Sequence, residues 1–153
     1  MRRADPAIAI ARKETPMTTE IHPAILAAHH SWRCVQARAR EQWLELMAED
    51  VTIEDPVGIG PTNPTGKGFC GKREAEQFWD NHLAPTQSVQ ITAHESFAAG
   101  SESAHVLTLT TTFPNGIKMS VHGIFTYTVD DEHKIKALRG YWSMNEAKIE
   151  KPR

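Results

Sequence analysis

The second half of the chain constrains the fold most, because it consists almost entirely of strand-like segments. Residues 88–97, 104–113, 117–129 and 134–143 carry the residue-by-residue alternation or β-branched and aromatic content of half-buried strands. Asn115-Gly116 separates the middle two, and Asn-Gly adopts the left-handed geometry of a tight hairpin turn at little cost. These segments predict an antiparallel meander.

The first half has the spacing of amphipathic helices. Pro23 suits the first turn of a helix that we predict to run to about Arg38. Shorter helices are predicted over residues 40–47, with Trp43 in the core, and over residues 72–82. Helices followed by an antiparallel meander predict an α+β domain, in which three helices pack on one curved, mostly antiparallel sheet.

Composition limits the classes of function. A chain of 153 residues is long enough for one domain with its own core. Its net charge of -2 provides no basic surface for nucleic acid, and no apolar run approaches the roughly 18 residues of a membrane span. The two cysteines suit a reducing cytoplasm. We therefore expect a cytoplasmic protein that binds neither nucleic acid nor membrane.

The chain is predicted to divide into an N-terminal extension, residues 1–18, and one folded domain, residues 19–150. Arg2-Arg3 precede only a short Ala-Ile alternation, which is too brief for the apolar region of a signal peptide. Met17 is an alternative start, and a tail that packs locally is the other interpretation.

The stretch from Val51 to Gly58 has the strongest chemical content. It begins as a short strand and places Asp55 directly before Pro56, whose ring restricts the backbone of the preceding residue. Apolar neighbours such as Val57 raise the proton affinity of a carboxylate by removing water from it. A rigidly held carboxylate in apolar surroundings is suited to act as a general base, although a simple Asp-Pro turn is the alternative.

No metal or cofactor is expected. His29-His30 are neighbours on a helix and diverge by about 100°, so they do not share one ion easily, and the other six histidines are scattered. Gly66-Lys67-Gly68 lacks a phosphate-binding motif and the helix that should follow it.

Four segments together resemble the ketosteroid isomerase branch of the nuclear-transport-factor-2-like (SnoaL-like) superfamily. They are residues 50–58, the helix start at residues 71–74, the Asn115-Gly116 hairpin and the strand at residues 140–143. The Ser-Trp-Arg-Cys-Val-Gln, Thr-Asn-Pro and Arg-Gly-Tyr-Trp segments are similar to those of mycobacterial steroid-binding, isomerase-like proteins. The resemblance implies a cone-shaped fold with a deep apolar pocket for a steroid-like ligand, and a homodimer built sheet to sheet.

Only some of the family's catalytic residues have a counterpart in this sequence. In that family an Asp base acts with an oxyanion hole made of a Tyr and a protonated Asp, and Asp55 falls on the base. The tyrosine position falls at Ser31, beside Trp32, and the second donor falls at Phe125, or at Gly123 if the register slips. Neither donor is present. Ser31, Trp32 and Tyr127 are the candidate substitutes, and a core tyrosine with a satisfied hydroxyl is the alternative for Tyr127.

Strand parity places Val121, Gly123, Phe125 and Tyr127 on the pocket face and His122 on the opposite face. Asp55 and Tyr127 are the candidate catalytic residues. The candidate ligand-binding residues are Ser31, Trp32, Val57, Phe78, Trp79, Phe125, Leu138 and Trp142.

Three functions follow from the resemblance. The first is a ketosteroid isomerase-like enzyme of weak or altered activity, with Asp55 as general base. The second is a non-catalytic binding protein for a sterol or polyketide-like ligand. The third is the cyclase or epoxide hydrolase chemistry of SnoaL-like proteins, in which Asp55 activates a hydroxyl or water. The missing donors favour binding, whereas the intact Glu54-Asp55-Pro56 segment favours chemistry.

Overall fold

The computed structural model describes residues 20–153, so the predicted extension at residues 1–18 lies outside the described part of the chain. Three helices precede most of the sheet. Helix α1 spans Pro23–Ala37, α2 spans Arg40–Glu45, and α3 spans Gly71–Phe78 and continues as a π-helical turn, Trp79–Leu83. No helix between residues 20 and 153 has the length and apolarity needed to cross a membrane.

Local capping interactions explain the limits of α1. The His22 ring accepts a hydrogen bond from the Ala24 amide at 3.0 Å, and Pro23 occupies the first helical position, where no amide proton is needed. Arg38 ends the helix in the left-handed conformation, with φ of 60°. Both ends of α1 therefore lie close to the sequence prediction.

Seven strands form one sheet. They are β1 (Met47–Glu54), β2 (Phe69–Cys70), β3 (Ser88–Ala99), β4 (Glu102–Thr112), β5 (Lys118–Val129), β6 (Ile135–Tyr141) and β7 (Lys148–Glu150). The strand order is β2-β1-β6-β5-β4-β3, and β7 pairs with β5. The β1–β6 pair is parallel, and the other pairs are antiparallel. The predicted α+β architecture of three helices on a curved sheet is confirmed.

Two predicted boundaries were wrong. The second helix was expected to reach Met47 but ends at Glu45, because Met47 pairs in parallel with Ile135 of β6 and is buried there. The last strand was expected to reach Ser143 but ends at Tyr141, where the chain turns toward a short 3-10 helix. The short strands β2 and β7 were not predicted, because two or three residues carry no readable periodicity.

Strand β5 positions the site. Its buried residues Val121, Phe125 and Tyr127 point toward the helices, while His122 and Ile124 are exposed on the opposite face of the sheet. The parity predicted for this strand is confirmed. The space between the sheet and the helices is filled by aliphatic and aromatic side chains, and it contains the cavities described below.

Candidate active site

An apolar passage runs between the helices and the sheet. Its inner part, a chamber of about 50 Å³, is lined by residues that include Ser31, Trp32, Trp43, Phe125, Tyr127 and Leu138. Its outer part, a vestibule of about 280 Å³, is lined by residues that include Thr62, His82, Phe113, Met119, Val121 and Trp142. Asp55 and Phe78 line both parts, so Asp55 lies where the chamber meets the vestibule.

The loop that follows β1 holds the Asp55 backbone. The Thr62 hydroxyl donates to the Asp55 carbonyl oxygen, and the fully buried Asn63 donates from Nδ2 to the Pro56 carbonyl at 2.9 Å. The side-chain oxygen Oδ1 of Asn63 accepts from the Gly68 amide at 2.9 Å, which closes the loop on itself. Sequence reasoning missed Asn63, although a lone Asn between two prolines in a Gly-rich loop is a signal for such a role.

The Asp55 carboxylate is half-buried and receives one strong hydrogen bond. Trp142 Nε1 donates to Asp55 Oδ1 at 2.6 Å. Burial raises the pKa of Asp55 to about 6, because it outweighs the lowering effect of this hydrogen bond. Asp55 is therefore a carboxylate near neutral pH with a raised affinity for protons, as a general base requires.

Gly140 of β6 makes room for the carboxylate. A side-chain carbon at this position would lie 2.8 Å from Asp55 Oδ1 and 2.6 Å from the ring of Phe125. The Gly140 carbonyl also accepts the Val57 amide at 2.8 Å, which ties the segment after Asp55 to β6. Glycine at this position therefore allows Asp55 to pack directly beside Phe125.

Two hydroxyl groups in the chamber are each held by an indole. Trp32 Nε1 donates to the Tyr127 hydroxyl at 2.8 Å, and Trp43 Nε1 donates to the Ser31 hydroxyl at 3.1 Å. Burial raises the pKa of Tyr127 far above its usual value, and the charge of Asp55 acts in the same direction. Tyr127 therefore keeps its proton at neutral pH and can act as a hydrogen-bond donor.

The buried His105 ring packs against the Trp32 ring. The two rings meet edge to face with centroids 4.8 Å apart, and the ring nitrogens of His105 bind the hydroxyls of Ser96 at 2.7 Å and Ser103 at 2.8 Å. Burial lowers the pKa of His105 to about 4, so the ring is neutral. Its alternation with Leu107 and Leu109 in the sequence was the signal for its burial.

Most predicted site residues lie on the passage. Ser31, Trp32, Phe125, Tyr127 and Leu138 line the chamber, Phe78 lines both parts, and Trp142 lines the vestibule. Phe125 stands where the resemblance places a carboxylic acid, and Asp55 is the one acidic side chain among the described residues that line the chamber.

The structure does not place two of the predicted ligand-binding residues on the passage. Among residues 20–153, Val57 and Trp79 line neither the chamber nor the vestibule. Val57 pairs through its backbone with Gly140, while the Trp79 ring packs against Trp43 with centroids 5.2 Å apart and is buried in the core. Trp43 is buried in the core, as predicted, and its side chain also lines the chamber.

Comparison with known protein families agrees with this architecture. The model of the SnoaL-like domain matches residues 28–138, most of the described chain. The chain belongs to the SnoaL-like family. Among curated proteins, none matches the chain.

Solved structures similar to this SnoaL-like protein include mycobacterial proteins. One is the Delta 5-3-ketosteroid isomerase from Mycobacterium sp., with 43% identity and a TM-score of 0.81, covering 85% of this chain and 100% of that one. Another is RV0760c from Mycobacterium tuberculosis in complex with estradiol-17beta-hemisuccinate, with 43% identity and a TM-score of 0.80, covering 84% of this chain and 99% of that one. A computationally designed 17-OHP binder has 41% identity and a TM-score of 0.81, covering 85% of this chain and 100% of that one.

Proposed function

We propose that this SnoaL-like protein is a ketosteroid isomerase-like enzyme that moves a proton between two carbons of a steroid-like enone. The observation that carries the proposal is the half-buried Asp55 carboxylate, which lines an apolar passage and whose pKa is raised to about 6. The similar ketosteroid isomerase and the similar structure with a bound estradiol derivative support a steroid as the ligand class.

In the proposed reaction Asp55 takes a proton from the carbon between the ketone and the double bond. The C–H bond breaks, the carboxyl O–H bond forms, and the electron pair moves into a dienolate whose charge develops on the ketone oxygen. Asp55 then returns the proton to the far carbon of the conjugated system, so no cofactor is consumed. Tyr127 is the proposed donor to the oxygen, because its pKa is held high and its proton is retained.

The composition of the chamber favours a slow enzyme. One donor to a developing oxyanion contributes about 2.7–4 kcal/mol to transition-state stabilisation. Phe125 occupies the position where the resemblance places the second donor, so that contribution is lost there. Proximity and the raised pKa of Asp55 still provide catalysis without it.

The second candidate is a non-catalytic binding protein for a sterol or polyketide-like ligand. The observation that favours it is the same apolar Phe125, together with the apolar residues that dominate the passage. The cyclase or epoxide hydrolase alternative keeps Asp55 but uses it to activate a hydroxyl or water, so it differs from the isomerase in the group from which Asp55 takes a proton.

The variant Asp55→Asn tests the proposal. It keeps the size of the side chain and an oxygen for Trp142, but it removes the base. We expect isomerisation of a Δ5-3-ketosteroid, followed by the absorbance of the conjugated product, to fall by about 10²–10⁴-fold, while steroid affinity is unchanged or slightly improved. The exposed Asp50→Asn variant is the matched control and should keep its activity. A wild-type protein that binds the steroid without converting it would favour the binding protein instead.

We also propose a cytoplasmic homodimer formed through the outer face of the sheet. The apolar side chains Phe97, Ile124 and Tyr141 of this face are 61%, 47% and 45% exposed. An exposed apolar patch on neighbouring strands is typical of a protein interface. Sedimentation at micromolar concentration should show a dimer that Ile124→Glu dissociates, and a monomeric wild type would contradict the proposal.

The free cysteines Cys34 and Cys70 support the cytoplasmic location.

A further inference from the structure

Arg139 contacts two residues on the outer face of the sheet, and each of them directly precedes a residue of the carboxylate site. Its Nε atom lies 3.0 Å from Glu54 Oε1, and its guanidinium carbon lies 5.5 Å from the centre of the Tyr141 ring. Glu54 precedes Asp55, and Tyr141 precedes Trp142. One side chain therefore links the residues before the carboxylate and before its hydrogen-bond donor. We call Glu54, Arg139 and Tyr141 the outer cluster.

The register of β1 and β6 explains this arrangement. Glu54 pairs with Arg139 in the parallel ladder between these strands. Leu138, one position before Arg139, is buried against the helices, and Gly140, one position after it, lies beside the Asp55 carboxylate. Because side chains alternate along a strand, Arg139 points away from the passage. The outer cluster and the carboxylate site are thus on opposite faces of the same two strands.

The contact between Glu54 and Arg139 does more than an exposed ion pair would require. The two side chains are 29% and 41% exposed, and an ion pair of this kind contributes little to stability. The Arg139 Nε atom itself is shielded from water, and within residues 20–153 it has no partner that meets hydrogen-bond geometry. Such atoms are rare in folded proteins, because shielding a polar group without a well-directed acceptor costs free energy. A functional constraint is a reason to keep one.

The position of the carboxylate site in the chain provides that constraint. Strand β1 ends at Glu54 and β6 ends at Tyr141, so Asp55 and Trp142 both lie one residue beyond a strand. The hydrogen bond from the Val57 amide to the Gly140 carbonyl holds the chain after Asp55. The outer cluster contacts the last residue of each strand, and it therefore holds the chain before Asp55 and before Trp142.

We propose that Arg139 is a positioning residue for the proposed base. Its contacts with Glu54 and Tyr141 fix the backbone of the residue that follows each of them. Asp55 and Trp142 thereby keep the short hydrogen bond of 2.6 Å between them. The proposal rests on the proposed function, because Asp55 is the base in that function.

The pKa of Asp55 reports this position. Burial raises it, the hydrogen bond from Trp142 lowers it, and the charges of the outer cluster are not among its causes. A looser hydrogen bond should therefore raise the pKa further. Of the described residues that line the two cavities, the other titratable ones are Tyr127 and His82, and both lie on the passage, across the sheet from the outer cluster.

An NMR titration of the Asp55 carboxyl carbon tests the proposal in the full chain, and Asp55→Asn identifies its signal. Arg139→Met and Glu54→Met each remove one side of the ion pair. We expect each variant to raise the proton affinity of Asp55 about threefold, an increase of about 0.5 in its pKa. A direct effect of charge would give changes of opposite sign, because one variant loses a cation and the other an anion. Opposite signs, or no change in either variant, would overturn the proposal.

The Trp142→Phe background tests whether Arg139 acts through the indole. Arg139→Met should cause no additional rise in the pKa of Asp55 in that background, and a rise that persists in full would overturn the positioning role. Arg40→Met is the matched control, since Arg40 lines neither cavity and forms an ion pair with Asp80 at 2.9 Å. It should leave the pKa of Asp55 unchanged. An equal rise in Arg40→Met would assign the effect to general loosening and overturn the proposal.

The titration needs no turnover, so the two proposals can fail separately. If the pKa rises as expected but the wild type does not convert a Δ5-3-ketosteroid, the isomerase is overturned and the positioning of the carboxylate stands. If the pKa does not move while Asp55→Asn abolishes turnover, the positioning role is overturned and the isomerase stands. If both hold, the acid limb of the pH–rate profile should move to higher pH in Arg139→Met.

Discussion

Tryptophan indole N–H groups donate hydrogen bonds in two regions of the passage, to a carboxylate in one and to hydroxyl groups in the other. In the carboxylate region, Trp142 donates to Asp55, and burial still raises the pKa of that acid to about 6. In the hydroxyl region, Trp32 and Trp43 donate to the hydroxyls of Tyr127 and Ser31, each of which still carries its own proton. One region is arranged to receive a proton and the other to offer hydrogen bonds.

The difference arises from what each acceptor can do after it has received the indole N–H. A carboxylate has no proton of its own, so the hydrogen bond stabilises its charged form and opposes the effect of burial. A hydroxyl retains one proton, so an N–H on its oxygen leaves that proton to point elsewhere. Tryptophan therefore orients both an acid–base group and a pair of donors without adding a charge to the passage.

Tyr127→Phe should have the largest effect on the hydroxyl region. The change removes one donor and leaves the ring, so the rate of isomerisation should fall at least tenfold, about 1.4 kcal/mol, and up to the roughly 10²–10³-fold typical of one oxyanion donor. Single-turnover kinetics with a Δ5-3-ketosteroid measure it. The other tyrosine provides the matched control, since Tyr141 is exposed on the outer face and Tyr141→Phe should be silent. An unchanged rate would make Tyr127 a packing residue.

The carboxylate region should reduce stability at neutral pH. The pKa of Asp55 rises from 3.8 to about 6 on folding, so between these values the folded state keeps a proton that the unfolded state releases. Stability from this group is therefore present at low pH and is lost as pH rises toward 6, a change of about 3 kcal/mol.

Asp55→Asn should remove this dependence and stabilise the fold above pH 6. Urea unfolding of the wild type and the variant between pH 4 and 7.5 measures the difference, which cancels the other titrating groups. The Asp50→Asn variant should follow the wild type. Parallel curves for the wild type and Asp55→Asn would show that folding leaves the pKa of Asp55 unchanged.

Trp142→Phe should have the smallest effect on the enzyme. It tests whether the indole N–H of Trp142 lowers the pKa of Asp55. The hydrogen bond from Trp142 lowers the pKa of Asp55, so its loss should raise that pKa further. The acid limb of the pH–rate profile, which reports the base in its ionised form, should then move to higher pH. Trp79→Phe should leave the limb in place. A limb that does not move in Trp142→Phe would show that the hydrogen bond does not lower the pKa of Asp55.

Local pattern was sufficient for much of the fold. The period-two alternation of β5 placed Phe125 and Tyr127 on the buried face and His122 on the outer face, because side chains on a strand alternate strictly. Pro23 and Asn115-Gly116 marked the start of a helix and a hairpin through constraints on their own backbones. Asp55 was identifiable for a similar reason, since Pro56 restricts its backbone and apolar Val57 follows.

Only the tertiary structure decided which aromatic residues serve the site. Trp32 meets Tyr127 across 95 positions of the chain and Trp142 meets Asp55 across 87, so no local period relates them. The sequence placed Trp79 on the pocket and Trp43 in the core, whereas in the structure the two rings pack against each other in the core and Trp43 also lines the chamber. Periodicity determines which face of an element a side chain occupies, whereas the direction of an indole N–H depends on every residue packed around the ring.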